Sequence, residues 1–233
     1  MSVRRRANGN TESVDNYLKA ILSLGGPEER RVTSKSLADR LGVAPASVTN
    51  MLQKLAASAS SPSPLVEYER HRGVLLSFAG KRRALEVLRH HRLIETFLYE
   101  VLDYPIDEVH EEAERLEHFI SERFEERIAA KLGHPKIDPH GHAIPTMDGK
   151  MAPQESILLT EVVTDGTFVI ESVSDRDARN LRLIEACGIT PGAKLRVKKS
   201  SSSEGYSVSI GRSKAFNLSR EVAGDVRILP VSK

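Results

Sequence analysis

The chain has 233 residues, 34 Lys and Arg against 32 Asp and Glu, and a single cysteine, Cys187. That length holds roughly one to three small domains, and one cysteine excludes an internal disulfide and suits a reducing cytoplasm. No apolar run reaches the roughly 18 residues that a membrane span needs, and the basic stretch from Met1 to Asn10 lacks the apolar segment of a secretory signal.

The net charge of +2 conceals a division: residues 1–83 carry +7, residues 84–150 carry −7 and the remainder +2. A basic front end suits a polyanion such as nucleic acid, and an acidic middle suits cations. In the front end, Val14, Tyr17, Leu18, Ile21, Leu22 and Leu24 recur at helical spacing over Thr11–Leu24, with Thr11 or Ser13 as a cap and Gly25-Gly26-Pro27 as a stop. A short helix, SKSLADRL, follows a Thr33 or Ser34 cap, and Pro45 opens another, PASVTNMLQKLAA. Ala38, Gly42 and Val43 followed by Val48 and Leu52 have the spacing of a helix-turn-helix, in which a small residue lets the helices cross and glycine makes the turn. The outward face of the second helix carries Ser47, Thr49, Asn50, Gln53 and Lys54, with Ala46 at its start and Ser36 on the preceding helix completing the candidate DNA contacts. Short polar groups there reach base edges and Lys54 suits a phosphate. LVEYERHRGVLLSF then reads as two strands turning near His71-Arg72-Gly73, a wing whose Arg70 and Arg72 face the DNA backbone.

The middle is predicted to form two long helices, Lys81–Leu102 and Glu108–Leu132. His91 and Glu95 are four residues apart on the first, and on the second His110, Glu114, Glu117 and His118 fall at offsets 0, 4, 7 and 8, so each set lines one stripe. A lone His-x-x-x-Glu pair is ordinarily an exposed ion pair, and Glu111, Glu112, Glu125 and Glu126 read as a solvated face. The His110–His118 stripe instead borders the apolar positions Ala113, Leu116, Ile120 and Phe124, where an unpaired charge is costly unless it binds a partner or a metal. With no thiolate in the set, nitrogen and oxygen donors suit Mn, Fe, Co, Ni or Zn. Apolar residues on several faces of these helices call for a symmetric homodimer, which also presents two recognition helices to a palindromic site.

The connector 133–155 holds Asp138, His140 and His142. Beyond it, SILLTEVV, TFVIESV, KLRVKKS, YSVSI and VRIL read as strands, with the helix ARNLRLIEACG between the second and third, and the whole suggests a small SH3-like β-barrel. Cys187 reads as a small buried residue at that helix's end. Asp175 is either the cap of the same helix or an acid with another task.

With these residues in hand, the chain resembles the diphtheria-toxin-repressor family of metal-dependent regulators, in its manganese-responsive, three-domain branch. The resemblance spans residues 11–230 and rests on DNYLKAI (15–21), VAPASVTNMLQKL (43–55), RHHRLIETFL (89–98), VHEEAERLEH (109–118), HPKIDPHGHAIP (134–145) and GITPG (188–192) in that order. It implies an α+β chain: a winged helix-turn-helix domain at 1–80, a helical metal-binding and dimerisation domain with connector at 81–150, and an SH3-like, iron-transport-A-like domain at 151–233. His91, Glu114, Glu117 and His118 match the primary metal ligands, with a further ligand from the first helix at Asn16, or its neighbour Asp15. A second site is implied at Glu95, Asp138, His140 and Asp175, and His110 matches a second-site ligand of the iron branch. Glu114 stands where the iron branch carries a softer cysteine or methionine, so the set favours Mn2+, with Fe2+ as the alternative and other divalent transition metals able to substitute. The implied function is metal-dependent binding to double-stranded DNA, repressing metal-uptake genes, in the cytoplasm and without enzymatic activity. The rivals are a sensor of iron, zinc or nickel, a metallohydrolase using the His/Glu cluster, and a DNA-binding protein whose acidic middle is only a dimer surface.

Overall fold

The computed structural model describes residues 10–57, 63–153, 155–198 and 205–231. Part of the serine-rich loop before the wing, and the last residues of the KLRVKKS run, lie outside the described residues. The chain forms two compact units: 1–91 with 116–121 and 145–151, and 92–115 with 122–144 and 152–233.

In the first unit, α1 (Asn10–Gly25), α2 (Ser34–Leu41) and α3 (Pro45–Ala56) precede an antiparallel hairpin of β1 (Val66–Glu69) and β2 (Gly73–Leu76). α1 already starts at Asn10, so Thr11 and Ser13 lie within its first turn rather than ahead of it as expected. Thr33 does cap α2, its side chain accepting from the Ser36 amide. Gly42 ends α2 at φ 64°, left-handed backbone that glycine adopts without the usual Cβ penalty, and so makes the helix-turn-helix turn. Val14, Leu18 and Ile21 of α1 share one core with Leu37, Val48, Leu52, Val66 and Val74. This apolar centre locks α1 to the recognition helix and the wing. Val32 adds a single bridge beside Val74, extending the hairpin sideways.

The long helix α4 (Phe78–Leu102) starts three residues earlier than the sequence suggests, because the Ser77 hydroxyl accepts from the Gly80 amide. The second long helix is a correction. The chain forms α5 (Val109–Leu116) and α6 (Glu122–Lys131), separated by a turn in which the Phe119 amide bonds to the Leu116 carbonyl at 3.0 Å. Ser121 stands at the cap position of α6, a residue type that favours starting a helix over continuing one.

In the second unit, Leu93, Ile128, Ala129 and Ile144 form a small helical core. The tail is a six-stranded sheet of β3 (Ile157–Leu158), β4 (Gly166–Val173), β5 (Lys194–Lys198), β6 (Gly205–Ile210), β7 (Phe216–Ser219) and β8 (Val226–Pro230), in the order β3-β8-β4-β5-β6-β7. SILLTEVV yields only a two-residue strand followed by a short 3-10 turn, and β7 and the short helix α8 (Arg220–Ala223) are additions to the sequence reading. The expected helix is α7 (Ala178–Ala186), over a core of Phe168, Ile170, Leu181, Ile184, Leu195 and Ile228. Cys187 sits at its C-cap, half-buried rather than buried.

Candidate metal centre and nucleic-acid interface

Glu117 and His118 were expected on a continuous helix, but they lie in the turn that follows α5. The turn suits them better, because it points both side chains inward without requiring four successive ligands to share one helical face. Within the first unit His91 Nδ1 lies 2.6 Å from Glu117 Oε2, and His118 Nε2 lies 3.3 Å from Glu117 Oε1. The Glu117 side chain is fully buried, and those of His91 and His118 are 5% exposed. From α1, Asp15 reaches Arg83 Nε at 2.6 Å and stands 3.6 Å from His118 Nδ1. Burial alone raises the Asp15 carboxyl, but His118 and Arg83 outweigh it and hold the group below the usual carboxylate range. Asp15 therefore already has a cation.

Asn16 does not. Its Oδ1 is a buried atom without a hydrogen-bond partner among the described residues, as are both ring nitrogens of His118. A buried polar atom without a partner is costly, and a cation can satisfy an amide oxygen. The buried nitrogen and oxygen donors of this cluster suit a hard divalent ion. Glu114 is half-buried in α5, one turn before Glu117 along the chain.

The second unit carries a separate constellation. His110 Nδ1 lies 3.2 Å from Glu95 Oε1 and 3.3 Å from Asp175 Oδ2. Asp175 is not the cap of α7; Asp177 is, accepting from the Arg179 amide. Burial disfavours a charged His110, but Asp175 and Glu95 override it and raise its pKa to about 10. Asp175, whose burial alone would raise it, is held well below its ordinary value by His110 and the neighbouring histidines.

The connector loop adds three more donors. Asp138 Oδ1 accepts from the backbone amides of His140 and His142, each at 2.9 Å, and so folds the loop around itself. Gly141, at φ 89°, sits against the Glu171 carbonyl of β4, where any side chain would collide. Asp138 Oδ2 remains without a hydrogen bond, with His142 Nδ1 at 3.4 Å and Arg92 Nε at 3.5 Å. His140 Nε2 lies 3.1 Å from the Ile106 carbonyl, so that nitrogen carries the proton. Its Nδ1 is buried without a hydrogen bond, 3.9 Å from Glu95. Buried His142 is shifted toward its charged form because Asp138 outweighs the desolvation.

Three neighbours of these donors went unnoticed in the sequence, Lys19, Arg83 and Arg92, and His142 was noted in the connector without a role. Two had a local signal. Lys19 is three residues past Asn16 on the same helix face, and His142 continues the alternation of Asp138 and His140.

On the DNA side, Ala46, Ser47, Asn50, Gln53 and Lys54 of α3 are exposed. Thr49 is half-buried and its hydroxyl donates to the Pro45 carbonyl at 3.2 Å, while the Ser36 hydroxyl shares a hydrogen bond with Thr33. At the wing tip Arg70 is exposed and Arg72 pairs with Glu69 at 2.8 Å.

Three profiles tile the chain. Residues 10–74 match the N-terminal DNA-binding domain of iron-dependent repressors, 78–146 their metal-binding and dimerisation domain, and 157–230 the FeoA domain. The iron-dependent repressor IdeR of Mycobacterium leprae is 28% identical over 208 residues, covering 83% of this chain and 86% of that protein. The regulator MntR of Oceanobacillus iheyensis is 30% identical over 128 residues, 55% of this chain and 82% of MntR. The structure of a manganese-dependent transcriptional repressor in complex with manganese superposes with a TM-score of 0.84 at 35% identity, covering 94% of this chain and 100% of that one. No helix among the described residues is long and apolar enough to cross a membrane. The chain belongs to the diphtheria-toxin-repressor family and is a metal-dependent, DNA-binding transcriptional repressor.

Proposed function

We propose that the activating ion is Mn2+ and that the ion-loaded protein, as a homodimer, binds a palindromic duplex operator and represses metal-uptake genes from the cytoplasm. The observation that carries the choice of ion is the donor chemistry. Every buried candidate ligand is nitrogen or oxygen, and Glu114 stands where the resemblance places cysteine or methionine in the iron branch. We assign Asn16, His91, Glu117 and His118 to the primary site, with Glu114 added on the resemblance, and Glu95, His110, Asp138, His140 and Asp175 to the second. The functional boundaries near 80 and 150 are taken from the resemblance.

Asn16 on α1 with Glu117 and His118 in the turn after α5 would hold a divalent ion, which would supply a link between these elements. Asn16 offers its oxygen from the same helix that packs through Leu18 and Ile21 against α3. Fixing α1 therefore fixes the recognition helix, and in a dimer the two helices meet successive major grooves about 34 Å apart. Ser47, Asn50 and Gln53 are exposed for base edges, and Lys54, Arg70 and Arg72 for phosphates. Tyr99, Leu102, Phe119 and Phe124 are large apolar groups left exposed in a single chain, which supports burial in a dimer.

Iron is the second reading, favoured by His110, which the resemblance matches to a second-site ligand of the iron branch and which lies beside Glu95 and Asp175. Raw affinity cannot separate the two ions, since Fe2+ generally binds such sites more tightly than Mn2+. Operator affinity measured anaerobically at buffered free Mn2+ and Fe2+ does separate them: Mn2+ is expected to give the higher maximal affinity, and a superior Fe2+ complex overturns the assignment. Glu114→Ala is expected to lose the metal dependence of operator binding. An unchanged response to metal would remove Glu114 from the site.

A further inference from the structure

Lys19 brings a cation of the chain's own to the carboxylate at the centre of the primary cluster. Its Nζ donates to Glu117 Oε1 at 2.7 Å and to Oε2 at 2.8 Å. Oε2 is also the atom 2.6 Å from His91 Nδ1, and Oε1 the atom 3.3 Å from His118 Nε2. Both oxygens are therefore engaged. Lys19 lies three residues beyond Asn16 on α1, so one face of that helix carries both an amide oxygen suited to a cation and an ammonium that repels one.

We propose that Lys19 is a built-in competitor of the metal, holding Glu117 as its counter-ion and so setting how much divalent ion is needed to load the primary site. The proposal rests on Glu117 being a ligand. A carboxylate as buried as Glu117 is costly without a cation, and Lys19 supplies one. A divalent ion that takes either oxygen meets an ammonium within ligand distance, and the two charges repel. The ammonium must withdraw. It has the means to do so, because its side chain is 14% exposed on a flexible four-carbon stem. A purely architectural ion pair makes the opposite prediction: removing its cation would loosen the cluster and weaken metal binding.

Manganese is titrated into the full-length wild type, Lys19→Gln and Lys19→Arg, following loss of the free aqueous Mn2+ resonance by electron paramagnetic resonance. Lys19→Gln is expected to tighten one class of sites about tenfold, equivalent to about 1.4 kcal/mol. Lys19→Arg, whose planar fork grips both carboxylate oxygens, is expected to weaken it severalfold. Unchanged or weaker binding by Lys19→Gln overturns the proposal, as does a Lys19→Arg protein that binds like wild type. If Lys19→Gln does not fold, the arginine arm decides alone. Glu117→Gln separates the two readings: retention of every manganese site removes Glu117 as a ligand. Loss of one site with Lys19→Gln unchanged removes only the competitor.

Discussion

Between Glu95 and Asp175 the imidazole of His110 keeps its proton well into the alkaline range, because two carboxylates outweigh the desolvation that would discharge it. Its folded pKa, about 10, lies above the 6.5 of an unperturbed histidine. Protonation of His110 therefore stabilises the fold fully below about pH 6.5, and that contribution fades as pH rises toward 10. Metal binding runs the other way. An ion taking the ring nitrogen displaces the proton, so second-site affinity rises with pH, by about tenfold per unit for each proton released. Calorimetry of Mn2+ binding between pH 6 and 8, in buffers of different ionisation enthalpy, should show at least about one proton released per second-site ion. A pH-independent affinity would take His110 out of the coordination. At this scale the sequence was readable where the pattern is local. Asp138 and His140 sit two residues apart in one short motif and so were reached through the resemblance, whereas the Asp15–Arg83 pair joins residues 68 apart and leaves no local trace. Asp175 illustrates the limit of a local rule: a carboxylate ahead of a helix suggests a cap, but Asp177 stands two residues closer and takes that role.

Elements were legible in proportion to their length and punctuation. The helix-turn-helix and wing were readable because Pro45, Gly42 and Gly73 mark their ends, and α1 because its apolar period is unbroken. The α5–α6 break was not, since no proline or glycine interrupts His118-Phe119-Ile120-Ser121 and the apolar spacing continues across it. Strand β7 has only four residues, too few for alternation to stand out. Two glycines separate backbone conformation from close packing. Gly42, at φ 64°, has nothing within 4 Å of where a Cβ would be, so Gly42→Ala is expected to cost about 1 kcal/mol, from strain alone. Gly141 combines φ 89° with the Glu171 carbonyl in the same space. Gly141→Ala is expected to cost about 1–3 kcal/mol and to displace the Asp138–His142 loop, losing second-site manganese while leaving the primary site loaded. Urea denaturation with ion counting checks both variants, and equal costs with both sites retained would refute the account of the loop.

Across the whole molecule, the positive excess foretold in the sequence lies in the first unit, and most of the acidic middle, in 92–115 and 122–144, belongs to the second. Residues 1–83 carry the positive excess that attracts a polyanion, and the same unit holds His91, Glu117 and His118. An ion held by these residues and an operator on α3 would act on one core, in which α1 and α3 are packed together. If loading the primary site favours the arrangement of α1 and α3 that fits DNA, linkage requires the operator to favour loading by the same factor. Couplings of this kind amount to about 1–3 kcal/mol, or roughly 5- to 150-fold. Operator affinity by fluorescence anisotropy with and without saturating Mn2+, and Mn2+ affinity with and without operator, should give equal factors in that range. Raising the salt should lower operator affinity steeply, because Lys54, Arg70 and Arg72 release counterions on binding, yet leave the metal factor largely intact. Lys19→Gln should load at lower Mn2+ while keeping the coupling, since it alters competition for Glu117 and not the packing of Leu18 and Ile21. An operator affinity indifferent to Mn2+ would mean that α1 does not carry the signal, whatever ion the cluster holds.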